Sequence, residues 1–182
     1  MPINEEQLQQ PFREGGARDI YLQVKSEGDF AGFAQRFVFS HDTQVARYAL
    51  WALSKATREE LSQLQPLLDS LTDLALHTAN SSVRRMTLSV IERLEIDEEH
   101  LRTDFLDFCL EHMVALEEPS GVQAICMKLA NKMCAFYPEL SDELKRTLQA
   151  MDADYYKPAV RCVRDGILGL KKKKNKSPNF EI

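Results

Sequence analysis

Cys109 and His112 stand three residues apart, as do Asp97 and His100, so each pair would share one face of a helix. Either pair would make half of a zinc site. Zinc asks for three or four ligands, with a second pair close by, so no metal site and no cofactor is expected. Asp104, Asp107 and Glu111 recur at i, i+3 and i+7. Such a row reads either as a catalytic carboxylate pair or as a solvated helix face, and the solvated face is the expectation. His41 and His77 end comparable segments 36 residues apart. The chain carries no phosphate-binding glycine loop, no G-x-S-x-G and no H-E-x-x-H. No catalytic residue is assigned, and an enzyme is not expected.

What remains is charge. The whole chain carries −5, which argues against a polybasic nucleic-acid binder. The distribution is uneven. Residues 44–58, 82–94, 121–137 and 157–170 carry +3, +2, +2 and +2, whereas residues 59–78, 97–118 and 139–154 carry −4, −7 and −3. Cations gathered on one surface attract an anionic partner. Arg47, Arg85, Lys128, Lys132, Arg161 and Arg164 are the candidate contacts. Trp51 is favoured as packed between helices, with exposure for stacking on a ligand as the alternative. A solvated or structural use of the basic face is equally open, because Arg58 and Arg93 lie near helix C-termini, where cations favour the helix dipole. A further run, Lys171 to Lys174, opens a tail that either caps the last helix or touches an anionic polymer.

The elements that hold these residues are helical almost throughout from residue 17. Apolar residues recur at three and four, and strict alternation is absent. Breaks fall at "SHDT", "TANSS", "EEPSG" and "DADYYKP". Pro66 fits the early turns of one helix, and "EIDEEH" sets acids in the first turn of another. After each break a similar helix begins at Val45, Val83, Val122 and Val160, with separations of 38, 39 and 38 residues. A period near 40 with two helices per unit marks stacked helical hairpins. Cys109, Cys126, Cys134 and Cys162 all lie in apolar windows with no C-x-x-C spacing, so buried, reduced thiols in a cytoplasmic protein are expected. The N-terminus lacks the basic start and apolar stretch of a signal peptide, and no apolar run is long enough for a membrane helix.

Asp42 followed by Val45-Ala46-Arg47, the small Ala49 and Ala52, and the pairs Val83-Arg84 and Val160-Arg161 carry a resemblance to the HEAT-like helical-repeat proteins. The third unit departs, with Val122-Gln123. The chain is most similar to small single-domain bacterial members. The resemblance implies an all-α, right-handed α-α superhelix of the HEAT/ARM solenoid type, with about four hairpins and an N-terminal capping helix. Residues 1–16 form an arm, 17–170 the repeat domain and 171–182 a lysine-rich tail. The resemblance also implies that second helices line the concave face, which would then be basic. The first function expected is a non-enzymatic scaffold binding a protein or acidic peptide there. The alternative is a nucleic-acid-binding repeat protein, with the DNA-alkylation-repair type as one form of it. A monomer or weak homodimer is expected.

Overall fold

A computed structural model describes residues 3–10 and 15–170. These residues form eleven α-helices and two short 3-10 segments and contain no strand. The lysine run at 171–174 lies outside the described residues.

Polar caps set the helix starts. Asn4 and Gln7 form a reciprocal capping box on α1 (Glu5–Gln9). Gly28, at φ 75°, ends α2 (Gly16–Glu27) and donates its N–H to the Val24 carbonyl. Asp29 caps α3 (Phe30–Phe37), and Asp42 caps α4 (Thr43–Leu53) through the Gln44 and Val45 amides. A second capping box, Thr57 with Glu60, starts α5 (Arg58–Leu61). The expected helix around Pro66 is split. Proline has no N–H to give, so residues Ser62–Leu67 tighten into a 3-10 turn before α6 (Leu68–His77) resumes. Asn80 caps α7 (Ser81–Glu92). The acids of "EIDEEH" precede the next helix rather than open it. Asp97 accepts from the His100 amide in a turn, and α8 begins only at Thr103 (Thr103–His112). Then come α9 (Ser120–Cys134), α10 (Pro138–Ala150) and α11 (Pro158–Ile167), the last two with proline in the first turn.

The helices pair as first and second members: α3 with α4, α6 with α7, and α8 with α9, while α10 and α11 both pack on α9. The second helices α4, α7, α9 and α11 contact one another in sequence, and α2 lies on the free side of α4. This is a helical solenoid. Val45, Val83, Val122 and Val160 are all buried, which makes them a common register for the four units. Ile3 and Leu8 are buried as well, and α1 packs on α4, so part of the 1–16 segment joins the core.

Counting from that valine shows which polar residues build the stack. One position on, Arg84 donates to the Ala75 and Thr78 carbonyls at 3.1 and 2.6 Å, closing the end of α6. In the next unit the same position is Gln123, which donates to the Ala115 carbonyl at 2.7 Å. The departure from arginine therefore keeps the bond. Ten positions on, Arg93 donates to the Ala56 carbonyl, and Lys132 to the Leu94 and Glu92 carbonyls at 2.5 and 3.3 Å. Each cation thus reaches the C-terminal end of the preceding second helix, where unpaired carbonyls gather.

In α11 the positions equivalent to Thr87 and Leu88 hold Arg164 and Asp165, which are paired at 2.9 Å. This polar pair stands where α7 carries the buried Thr87 and Leu88. Lys132→Met is expected to lower stability by about 1–3 kcal/mol, since it strips a charged donor from two partly buried carbonyls. Urea denaturation with an unchanged m-value checks it.

Candidate functional site

The exposed side of α4 is a single stripe. Arg47 and Trp51 stand at i and i+4, with Ser54 and Lys55 exposed in the turn that follows, while the opposite side buries Val45, Ala49, Leu50, Ala52 and Leu53. Trp51 is 42% exposed, so the favoured placement between units gives way to the surface one. The reason is register. Trp51 shares the Arg47 face, and the helix needed only its small and aliphatic residues to seal the stack.

Arg47, Tyr48 and Trp51 of α4 face Ser82, Arg85 and Met86 of α7 across a cleft of about 310 Å³. Trp51, Arg85 and Met86 also line an adjoining cleft of about 170 Å³ that runs on toward Ser54, Ser89 and Arg93. Arg47 and Arg85 both stand two positions after their register valine, so consecutive units place them side by side. The Arg47 guanidinium lies 5.0 Å from the Tyr48 ring centre, a cation–π distance, and the Tyr48 and Trp51 rings are 6.1 Å apart at 37°. The Arg85 stem passes the start of α9, where a Cβ on Gly121 would stand 3.0 Å from Arg85 Cδ. The glycine leaves that path open. Among the described residues neither Arg47 nor Arg85 forms an ion pair.

The other sequence candidates lie elsewhere. Lys128 is exposed on α9 at the register position of Trp51. Arg161 is half-buried at the register of Arg84 and Gln123. Lys132 is tied to the end of α7, and Arg164 donates to the Leu148 carbonyl at 2.6 Å. Two of the six cations therefore meet in one cleft beside Trp51, and two are bound into the stack.

The half-sites do not converge on a metal geometry. Cys109 is fully buried, and burial with a hydrogen bond to Cys126 pushes its thiol well above the ordinary range. His112 instead stacks on Phe108 at 3.9 Å and meets Glu118 at 2.6 Å. No group of three His, Cys, Asp or Glu side chains among the described residues is arranged to hold an ion. Cys109, Cys126 and Cys134 are buried as expected, but Cys162 is exposed. In the acidic row, Arg102 grips Asp104 at 3.1 and 2.7 Å and reaches Asp73 at 2.7 Å, which holds the Asp104 carboxyl below its usual range. Arg102 thus staples the start of α8 to α6 and holds Asp104 in place, while Asp107 and Glu111 are solvated.

Asp97 meets His100 at 2.7 Å through a side-chain hydrogen bond that raises the imidazole's pKa. The pair's small contribution is present below the ordinary histidine range and is lost as pH rises through the raised value. In an NMR titration His100 is expected to titrate above an ordinary histidine, and Asp97→Asn to bring it back.

The fold and the cleft define a class: a helical-hairpin solenoid with an aromatic, arginine-lined groove on its second-helix face. The HEAT repeat domain family model matches residues 4–171, and the chain belongs to that family. Repeats of this family commonly mediate protein interactions. No curated protein and no solved structure showed a match to the chain. Among the described residues no helix is long and apolar enough to cross a membrane.

Proposed function

We propose that this protein is a cytoplasmic, non-enzymatic interaction scaffold that holds an acidic protein segment on its second-helix face, the side such repeats turn inward. The observation that carries the reading is the meeting of Arg47, Arg85 and exposed Trp51 in one cleft between adjacent units. Arginine suits the role because its planar fork takes a carboxylate through two hydrogen bonds. Aromatic and arginine side chains are also those that dominate protein interfaces. Buried thiols are in keeping with a reducing compartment.

The exposed tryptophan beside two arginines also suits a second reading, a single-stranded nucleic acid stacked on Trp51. The test is capture from nuclease-treated extract of the source cell, by the wild-type chain and by the Arg47→Ala/Arg85→Ala variant. Proteins held by the wild type and lost by the variant support the scaffold. Captures indifferent to the variant reject it, and captures lost on nuclease treatment favour the second reading.

A further inference from the structure

The cleft's own make-up narrows the acidic partner, an inference that rests on the scaffold reading. We infer that the occupant is an extended segment in which an aromatic or long apolar residue is flanked by acids, the apolar side chain lying on Trp51 and Met86 and the acids on Arg47 and Arg85.

Three observations lead there. First, the cleft is not uniformly basic. Beside the two arginines it is lined by Tyr48, Trp51 and Met86, so a purely acidic chain would leave its apolar part uncovered. Second, α4 and α7 are packed neighbours, and packed helices run about 8–10 Å apart. Arg47 and Arg85 hold the same register on them, so the two cations stand about one helix spacing apart across the groove. An extended chain rises about 3.3 Å per residue and turns alternate side chains to opposite faces, so the acids that share the apolar residue's face stand two positions to either side of it, about 13 Å apart. The reach of the arginine and glutamate side chains takes up the difference. Third, the cations are arginines without acidic partners among the described residues, whereas Lys132 is committed to carbonyls and Arg164 to a carbonyl and to Asp165. The charge is open to an outside carboxylate. Methionine on the floor adapts to apolar side chains of differing shape.

Trp51 is the protein's single tryptophan, so its emission reports this cleft alone. The full chain would be titrated at low salt, with excitation selective for tryptophan. The probes are the blocked peptides Glu-Glu-Phe-Glu-Glu and Glu-Glu-Gly-Glu-Glu, the lysine counterpart Lys-Lys-Phe-Lys-Lys, and a ten-nucleotide oligo-dT. The phenylalanine peptide is expected to bind at least about tenfold tighter than its glycine partner, the order expected for covering one aromatic ring. The lysine peptide is expected to give no response, and Arg47→Ala/Arg85→Ala to weaken binding of the phenylalanine peptide roughly 10- to 100-fold. Equal affinity for the two acidic peptides overturns the inference but leaves the scaffold reading standing. Silence with both acidic peptides overturns the two together. An oligo-dT that binds tighter than either peptide overturns them in favour of nucleic acid.

Discussion

With Arg47 and Arg85 both replaced by alanine, affinity for an acidic segment is expected to fall roughly 10- to 100-fold, the equivalent of about 1.4–2.8 kcal/mol. The magnitude comes from the setting. An exposed ion pair is worth under about 1 kcal/mol, whereas a charge-assisted bidentate bond is worth about 1.5–3. Arg47 is half-buried against Tyr48 and Arg85 is exposed, so one contact of each strength is the reasonable sum. The loss should shrink with added salt, because the cleft opens to solvent. Thermal stability should stay nearly unchanged, since neither guanidinium holds a carbonyl or a carboxylate of the described chain. Lys132→Met should behave in the opposite way, lowering stability while affinity holds. Isothermal calorimetry beside thermal melts reads both quantities on the same samples. A stability loss in the double arginine variant equal to that of Lys132→Met would mark Arg47 and Arg85 as further parts of the stack.

Leu88→Ala is expected to destabilise the protein by about 3–5 kcal/mol, the upper part of the range for a leucine truncated where the surroundings cannot collapse. Leu88 is fully buried near the middle of α7, and α7 packs on α4, α6 and α9 together. A cavity there loosens two unit interfaces and one hairpin at once. For a chain of this size the melting temperature should drop by about 6–20 °C. Val160→Ala is the control. Val160 is also fully buried, but α11 has its main packing with α9 alone, so the drop should be less than half as large. Equal losses at the two sites would mean that the units do not unfold as a nearest-neighbour stack.

The architecture was legible because stacking imposes a period. Each unit must bury a second helix against its neighbours, so Val45, Val83, Val122 and Val160 recur at nearly constant spacing. The polar duties were harder to read. From the sequence, Lys132 and Arg85 are both cations on second helices. Their contacts separate them: in α7 and α9 the cation ten positions after the valine meets the preceding helix end, whereas Arg47 and Arg85, two positions after theirs, line the cleft. Trp51 was misjudged for a related reason: size suggested the core, whereas its i−4 neighbour, Arg47, marks the outer face. The split around Pro66 and the late start of α8 turn on local hydrogen bonding, which periodicity does not encode.

The central claim is that Trp51 sits in a solvent-reached cleft whose charge is positive. Collisional quenching by iodide and by caesium tests it directly, since both ions must reach the indole and differ in sign. At about 10 mM ionic strength, where screening extends over about 30 Å, iodide is expected to quench Trp51 several-fold more strongly than caesium. Arg47→Ala/Arg85→Ala should bring the two constants together. Equal quenching of the wild-type chain by both ions, stronger quenching by caesium, or no quenching by either would contradict the claim.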